Sequence, residues 1–252
     1  IATPKIFIKL SSWICIALGI FFSYIMTKFY MERLGSNSEN SKGTFVIPFL
    51  ILLALLLFVG MGIFLLKILK NIYFYEDGFT EGKEGEKNYY KDLHYFFIPG
   101  ILPNTLQSIF YQKNNGEYRN IAANLYPENT FKQFQKDVVD ITYPIAMENI
   151  EHGGTEEFSF ISPKNQFFGV GRKKVGKNLK EIMKTSDKIR ITKEYIAVEN
   201  EIYPWNEYQI NGIFGNIVVN NREGKKMVRL LKLKVDRPNL LEALIETFRK
   251  KS

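Results

Sequence analysis

Two long stretches without a charged residue constrain this chain more than any other feature. Leu10–Thr27 and Thr44–Leu66 run for about 18 and about 23 residues without a charge. A helix that rises about 1.5 Å per residue spans a hydrocarbon core of roughly 30 Å with either stretch. Pro48 falls in the first turn of the second helix, where its missing N–H is harmless. The sequence therefore predicts two transmembrane helices, about 6–30 and 44–70, that form a hairpin.

Two other interpretations of these stretches are possible. Buried core helices would need a much larger surrounding chain than the rest of the 252 residues can provide. A cleaved signal peptide would explain the first stretch, because Lys5 and Lys9 precede it and a polar stretch follows it. However, the bulky segment KFYMERL lies where a peptidase requires small side chains. The pattern favours the membrane hairpin.

The lysines and arginines near the two stretches predict the orientation of the hairpin. The connector between the helices carries Lys28, Arg33 and Lys42, whereas the flanks outside the hairpin carry Lys5, Lys9, Lys67, Lys70, Lys83, Lys87 and Lys91. Basic residues close to a span resist translocation. We expect a multi-pass protein of the cell membrane with both termini cytoplasmic and a short extracytoplasmic loop. The single cysteine, Cys15, lies inside the first stretch and agrees with a large region that has no disulfide.

After Tyr73 the chain consists of short apolar runs separated by turn residues, and its second part repeats its first. Four pairs of segments match in the same order: FYEDGF (74–79) with ITKEYI (191–196), YKDLHYF (90–96) with WNEYQIN (205–211), SIFYQKNNGEYRNI (108–121) with NIVVNNREGKKMVR (216–229), and PENTFKQFQKDVVDI (127–141) with RPNLLEALIETF (237–248). Strand, turn, strand and helix is a common order, so chance similarity is the alternative. The matches favour a duplication, with Gly116 and Gly224 at the hairpin tips.

Each half ends in a predicted amphipathic helix. The second has one apolar face formed by Leu240, Leu241, Leu244, Ile245 and Phe248. Phe131, Phe134 and Val138 form the same stripe in the first helix, which we expect Pro144 to kink and Gly153–Gly154 to end. Asn239 is a candidate N-cap. We expect Ile217, Val219, Val228, Leu230 and Leu233 to complete the core of the second half, with Trp205 against its helix.

The strand pattern of residues 189–213, the glycine-tipped hairpin and the closing helix NLLEALIETF resemble bacterial pleckstrin-homology-like (PH-like) domains of small Gram-positive membrane proteins. The segment PWNEY (204–208) carries the resemblance most clearly, and Tyr90 replaces its tryptophan in the first half. The resemblance implies a bent, nearly closed antiparallel sheet capped by a helix, used for scaffolding or for lipid and protein binding. The expected fold class is α+β, with a transmembrane hairpin (1–72) followed by two PH-like halves, the first half (73–154) and the second half (155–252).

Catalytic chemistry has few candidate residues in this sequence. His94 and His152 are the only histidines; we expect His94 on a half-exposed strand and His152 at a helix end. Glu148 and His152 are four residues apart, but one such pair is too few ligands for zinc. The segment GVGRKKVGK lacks the GK[ST] ending of a phosphate loop. We therefore expect no catalytic residue, no metal site and no cofactor, and predict that the protein is not an enzyme.

The candidate binding residues are clustered in one basic segment, which comprises Arg172, Lys173, Lys174, Lys177, Lys180 and Lys184. Four of these lysines share a face if the segment is helical. Beside a membrane, each basic residue is attracted to anionic headgroups by about 1 kcal/mol. A solvated basic helix that only keeps the protein soluble explains the pattern equally well. Nucleic acid binding is disfavoured, because no helix-turn-helix or stacking-sheet motif accompanies the charge.

The sequence thus predicts a non-enzymatic, membrane-anchored binding or accessory protein, whose cytoplasmic PH-like module binds a partner protein or the membrane surface. The alternative is an immunity protein that neutralises a secreted antibacterial toxin at the membrane. Small two-helix proteins of similar composition from Gram-positive bacteria serve that role. The sequence does not identify the protein partner.

Overall fold

The computed structural model of the chain describes residues 1–35, 46–99, 106–113, 115–127, 129–160, 187–213 and 216–251. The fold is α+β, with two apolar helices followed by several antiparallel sheets, which confirms this part of the predicted fold class. The chain divides into two compact units. Unit 1 comprises Ile1–Ile72, Glu81–Lys83 and Leu125–Pro127, and unit 2 comprises Tyr73–Thr80, Glu84–Asn124 and Glu128–Ser252.

The two predicted apolar helices are present in unit 1. Helix α1 spans Ile6–Gly35 and helix α2 spans Val46–Ile68. Within them, Ile6–Glu32 and Pro48–Lys67 are long and apolar enough to cross a membrane, yet only 11% and 6% of their most apolar windows are buried. A core helix of a soluble protein would bury most of its apolar surface. The two helices are therefore candidate membrane spans.

Small residues allow α1 and α2 to pack closely. A Cβ atom added to Gly62 would lie 2.5 Å from Ile16 Cγ1 and 2.8 Å from the Ser12 carbonyl oxygen. A Cβ atom on Gly19 would lie 2.8 Å from Phe58 Cβ. Ser12 is fully buried at this contact and donates its hydroxyl to the Ile8 carbonyl at 2.9 Å. The close contact is of the kind that glycine permits between membrane helices.

The chain segments at the open end of the hairpin are joined by backbone hydrogen bonds within unit 1. The Ala2 amide donates to the Ile72 carbonyl at 2.7 Å, and the Ile72 amide donates to the Ala2 carbonyl at 2.9 Å. The Lys5 amide donates to the Leu125 carbonyl at 2.8 Å, and the Tyr126 hydroxyl donates to the Lys70 carbonyl at 2.6 Å. These bonds satisfy backbone groups of the chain segments before α1 and after α2, at the open end of the hairpin.

The first half contains two three-stranded antiparallel sheets and a long helix. The sheets have the orders β1-β2-β3 and β4-β5-β6. Their strands are β1 (Ile72–Tyr75), β2 (Gly78–Glu81), β3 (Lys87–Tyr89), β4 (Tyr95–Pro99), β5 (Leu106–Gln112) and β6 (Tyr118–Ile121), and helix α3 (Thr130–Glu151) follows. A 3-10 turn, Tyr90–Asp92, joins the two sheets.

The second half repeats this order with one additional strand at its start. Its sheets have the orders β10-β9-β8-β7 and β11-β12-β13. The strands are β7 (Glu156–Phe160), β8 (Asp187–Ile191), β9 (Tyr195–Val198), β10 (Glu201–Pro204), β11 (Tyr208–Ile213), β12 (Asn216–Asn221) and β13 (Lys226–Leu231), and helix α4 (Pro238–Lys251) closes the chain. The last sheet and the closing helix thus correspond in the two halves.

The glycine-tipped hairpins of the two halves have the same hydrogen bonds. The Gly116 amide donates to the Lys113 carbonyl at 2.8 Å, and the Gly224 amide donates to the Asn221 carbonyl at 3.0 Å. Both glycines adopt a positive φ, +77° and +81°, which favours glycine. The ungapped alignment of these hairpins holds as far as Lys226 and is wrong beyond it, because a bulge opposite Val219 and Asn220 adds one residue to β13.

The first half has a core rich in aromatic rings, in which Tyr90 occupies the position of Trp205. The Tyr90 amide donates to the Asp77 carbonyl at 2.9 Å, and the Trp205 amide donates to the Glu194 carbonyl at 3.1 Å. Asp77 and Glu194 are aligned in the two halves. Tyr90 contacts Phe134 of α3, with ring centroids 5.9 Å apart. The equivalence of these contacts supports the alignment of the two halves.

The core of the second half matches the prediction at most positions. Trp205 stacks on Phe248 with ring centroids 5.5 Å apart, and Val228 is only partly buried. Buried in the same cluster are Ile217, Val219, Leu230, Leu240, Leu241, Leu244 and Ile245. The side chain of Leu233 lies outside the described residues. The predicted N-cap is wrong, because α4 begins at Pro238, a residue suited to the first helical position, and Asn239 lies inside the helix.

Helix α3 contributes to the cores of both halves. Its N-terminal part buries Phe131, Phe134 and Val138, whereas Ala146, Met147 and Ile150 belong to the core of the second half. The helix continues through Pro144 and ends at Glu151, followed by Gly153 with φ +84°. The predicted end of this helix is confirmed. A helix shared by two cores links the halves within unit 2.

Candidate functional site

An open groove in the first half is the strongest candidate site, and we call it the acidic groove. Its volume is about 750 Å³. The turn between β1 and β2, strand β3 and helix α3 form its walls. Its lining residues are Phe74, Tyr75, Glu76, Asp77, Lys87, Asp137, Asp140 and Ile141. Four of the eight lining side chains are carboxylates.

Lys87 crosses one end of the acidic groove. Its ammonium nitrogen lies 2.5 Å from Asp77 Oδ1, 5.0 Å from the ring centroid of Tyr75 and 5.3 Å from that of Tyr89. The hydrogen bond between the two charged groups lowers the pKa of Asp77 and raises the pKa of Lys87. A carboxylate and two aromatic rings thus hold a primary ammonium group here by ion pairing and cation–π attraction.

The other carboxylates of the groove have no cationic partner among the described residues. The Gln133 amide donates to Asp137 Oδ1 at 2.6 Å. Glu76 and Asp140 are exposed, and within the described part of the chain neither side chain forms an ion pair. Asp137 and Asp140 are three residues apart on α3, so they lie on the same face of the helix.

A buried hydroxyl lies close to this acidic surface. Tyr90 is fully buried, and its hydroxyl has no hydrogen-bond partner among the described residues. Burial, and then the charges of Asp137 and Asp77, raise the pKa of Tyr90. Asp77 and Asp137 line the acidic groove, whereas Tyr90 is not among its lining residues. An unsatisfied buried hydroxyl is costly and unusual.

At the aligned positions, the described part of the second half has neither the four carboxylates nor the unsatisfied hydroxyl. The residues aligned with the four groove carboxylates are Lys193, Glu194, Thr247 and Lys250. The indole nitrogen of Trp205, at the position of Tyr90, donates to the Thr192 carbonyl at 3.1 Å. The acidic groove is therefore not a requirement of the repeated fold.

A second polar cluster joins the two halves and was not predicted from the sequence. Asp236 is 1% exposed and accepts hydrogen bonds from the Tyr95 amide at 3.0 Å and from His94 Nδ1 at 2.6 Å. A carboxylate only accepts, so Nδ1 carries the proton. Arg237 bonds Asp236 Oδ2 at 3.3 Å and Glu156 Oε1 at 2.7 Å. Burial lowers the pKa of Arg237, but these carboxylates more than offset it and raise the pKa overall.

The contacts of this cluster indicate that it holds the two halves together. His94 is half-exposed, as predicted, with 46% of its side chain accessible, but it directly precedes β4 instead of lying on a strand. It has an acidic partner 142 positions away. Arg237 also packs its guanidinium 4.8 Å from the ring centroid of Phe158 and adopts φ +48°. A positive φ outside glycine is strained and persists only where surrounding contacts hold it. We assign the cluster to the junction between the halves.

The structure does not test the candidate binding residues that were predicted from the sequence. The basic segment, 172–184, lies outside the described residues. The acidic groove was missed, although one signal was available in the sequence: the two halves differ in charge at three of the four aligned positions. Within the described ranges, no group of three or more His, Cys, Asp or Glu residues is arranged to hold a metal ion. No family model, curated protein or solved structure matches the chain.

Proposed function

We propose that the chain is a membrane-anchored binding protein. In this proposal α1 and α2 cross the cell membrane, both termini are cytoplasmic, and the two halves of unit 2 are PH-like domains that present a binding surface to a partner protein. Its role is to recruit or hold that partner at the membrane rather than to catalyse a reaction.

The observation that carries the proposal is the combination of two exposed apolar helices with a duplicated β-rich unit in one chain. An exposed apolar surface of this length is stable only in lipid or against another apolar surface. In the second half, two antiparallel sheets precede a helix that buries Leu241, Leu244 and Phe248, an order that supports the PH-like assignment.

The surface features of unit 2 favour the binding of a partner protein over the catalysis of a reaction. The acidic groove is open to solvent, with a volume of about 750 Å³. Exposed apolar side chains, Tyr75, Tyr89 and Ile145 in the first half and Ile202 in the second, provide contact area of the kind found in protein interfaces.

The test is photo-crosslinking in the cells that encode the protein. The full-length chain, with a photoreactive phenylalanine analogue at Tyr89 or at Ile202, is irradiated in intact cells and its membranes are washed with alkaline carbonate. We expect the chain to stay in the membrane and to form a discrete adduct with one protein. Release by carbonate would refute the membrane anchor, and adducts with lipid alone would refute the protein partner. Protection of cells from a co-expressed antibacterial toxin would instead support an immunity function.

A further inference from the structure

Five lysines of unit 1 lie at the open end of the hairpin, and we call this surface the lysine end. Its members are Lys5, Lys9, Lys67, Lys70 and Lys83. Four of the side chains are exposed and that of Lys9 is half-buried, and within the described ranges none of the five forms an ion pair. Glu81 is the only acidic residue of unit 1 in the described segments outside α1, so five lysines and one glutamate leave a net charge of +4.

Hydrogen bonds fix the lysines on the α2 side of the lysine end. The Tyr126 hydroxyl donates to the Lys70 carbonyl at 2.6 Å. The Gly82 amide donates to the Asn71 carbonyl at 2.8 Å, which brings the next residue, Lys83, close to the chain that follows α2. These positions are therefore held together by the fold, and a surface with one sign of charge attracts the opposite sign.

Lys5 and Lys9 form the α1 side of the lysine end. The Lys5 amide donates to the Leu125 carbonyl at 2.8 Å. Lys9 lies in the first turn of α1, yet its ammonium lies 3.5 Å from Asn71 Oδ1, beyond the last residue of α2. The side chain thus extends away from the apolar span, as the side chain of a lysine near a membrane surface does.

Exposed apolar side chains directly border the lysine end. One candidate membrane span begins at Ile6 and the other ends at Lys67, both at this surface. The exposed apolar residues closest to it in sequence are Ile6, Phe7, Leu10, Ile63 and Phe64. A phospholipid has the complementary arrangement, an anionic phosphate joined to acyl chains. This second observation specifies the ligand, because a free anion offers nothing that contacts the apolar surface.

The opposite end of the hairpin differs in charge. Lys28 is the only basic residue there whose side chain is described, and its ammonium lies 3.9 Å from Glu32 Oε1. Among the described side chains of unit 1, the lysines without an ion pair therefore belong to one end of the hairpin. A lipid attracted by this charge would occupy one leaflet of the membrane.

We propose that the lysine end binds the headgroups of anionic phospholipids. The inference rests on the membrane anchor of the proposed function and adds the class of lipid that surrounds it. Phosphate oxygens accept hydrogen bonds from the ammonium groups of Lys5, Lys9 and Lys70, and the acyl chains of the same lipid contact Phe7 and Phe64.

The test uses the full-length protein in vesicles of equal parts phosphatidylglycerol and phosphatidylcholine, with Trp13 as the reporter. Trp13 is exposed and lies four residues after Lys9, on the same face of α1 and about 6 Å further along the span. Lipids with brominated acyl chains quench a tryptophan that they contact. In one set of vesicles only phosphatidylglycerol is brominated, and in the other only phosphatidylcholine. A Trp13→Phe protein provides the background fluorescence of Trp205.

We expect brominated phosphatidylglycerol to quench Trp13 more strongly than brominated phosphatidylcholine. Each lysine near an anionic surface contributes about a fivefold preference, so Lys9→Gln/Lys70→Gln should lower the preference about threefold to twentyfold. The matched control, Lys225→Gln/Lys226→Gln, removes two exposed lysines from the β12–β13 hairpin of unit 2 and should change it less than about twofold. The variant Lys9→Arg/Lys70→Arg keeps both charges and should keep the preference.

Three results would overturn the proposal. The first is equal quenching by the two brominated lipids in the parent protein. The second is an equal preference in the Lys9→Gln/Lys70→Gln variant and its matched control. The third is loss of the preference when inorganic phosphate replaces chloride at constant ionic strength, which would indicate a site for free phosphate. A folding defect would instead reduce quenching by both lipids alike, whereas the proposal predicts a decrease for phosphatidylglycerol alone.

The failure of this inference is distinguishable from the failure of the proposed function. If both brominated lipids quench Trp13 equally, α1 lies in the bilayer and the membrane anchor stands, but the lysine end does not select anionic lipid. If neither lipid quenches Trp13, α1 does not contact acyl chains, and the membrane anchor is wrong together with the lipid site.

Discussion

Asp236 connects the two halves of unit 2, and its replacement tests whether they form one cooperative structure. Its carboxylate is 1% exposed and accepts hydrogen bonds from the Tyr95 amide, from His94 and from Arg237. Tyr95 and His94 belong to the first half, and Arg237 belongs to the second. We expect Asp236→Ala to destabilise both halves together.

The expected loss of stability depends on which groups lose the Asp236 carboxylate as their hydrogen-bond acceptor. The Tyr95 amide is buried and would stay unsatisfied, at a cost of about 1–3 kcal/mol. Arg237 would keep its ion pair with Glu156 at 2.7 Å but lose the buried carboxylate of Asp236 at 3.3 Å. His94 is exposed enough for water to replace its hydrogen bond. Breaking a buried ion pair from one side typically costs about 3–5 kcal/mol. For a unit of this size each kcal/mol lowers the melting temperature by about 2–4 °C, so we expect a decrease of roughly 6–20 °C.

The assay uses the two tryptophans of the chain. Trp13 lies in α1 and is exposed, whereas Trp205 is buried against Phe248. In a Trp13→Phe background, fluorescence of the full-length protein in micelles therefore reports the unfolding of the second half. The control is Glu117→Gln, which breaks an ion pair with Arg119 in which both side chains are 50% exposed. Such pairs contribute at most about 1 kcal/mol, so this variant should melt within about 4 °C of the parent.

The reasoning would be refuted if Asp236→Ala melted no lower than Glu117→Gln. That result would mean that the junction contributes no more than an exposed ion pair. A second outcome would refute only the cooperativity of the two halves. In it, the melting temperature reported by Trp205 fluorescence falls strongly, but the protection of the β4 amides against hydrogen exchange stays unchanged. The first half would then fold independently of the junction.

Three further predictions concern the hairpin and the basic segment. Gly62→Val should lower the thermal stability of the hairpin in micelles, because its Cβ would lie 2.5 Å from Ile16 Cγ1, whereas Gly60→Val, where a Cβ meets nothing within 4 Å, should have little effect. In a Cys15→Ser background, an impermeant maleimide should label Ser38→Cys in intact cells and leave Asn115→Cys unlabelled; the reverse labelling would invert the topology. A fragment of residues 73–252 should co-sediment with phosphatidylglycerol liposomes less strongly after replacement of the basic segment by glutamines. Because the Debye length is about 8 Å at physiological salt, binding that is insensitive to salt would contradict a lipid-facing role.

Local patterns in the sequence predicted the parts of the fold that depend on near neighbours. The uncharged stretches predicted α1 and α2, since the lack of charge over a span length is a property of consecutive residues. Gly116 and Gly224 predicted the hairpin tips, because a positive φ favours glycine. The stripe that includes Leu241 and Leu244 predicted the buried face of α4, since helical periodicity is visible in the sequence.

The polar sites depend on residues that are distant in sequence, and no local pattern indicates them. The acidic groove brings Asp77 and Asp137 to opposite walls, and the junction pairs His94 with Asp236 across 142 positions. Such contacts follow from how the sheets and α3 pack together, which periodicity does not specify. The bulge between Val219 and Asn220 shows the same limit, since one inserted residue shifts the strand register without a clear sequence signal.

The duplication offers a way to recognise function that a single copy lacks. Where both halves bury an aromatic ring against the closing helix, as Tyr90 and Trp205 do, the shared feature serves the fold. Where the first half collects carboxylates that the aligned positions of the second half do not carry, as in the acidic groove, the fold gives no reason for the difference. Replacing Asp137 by threonine and Asp140 by lysine would give the α3 side of the groove the residues of the second half. Because Thr247 and Lys250 are accommodated on the equivalent helix face, we expect this variant to fold normally and to melt at the temperature of the parent protein. A lower melting temperature would show that the carboxylates of α3 do serve the fold.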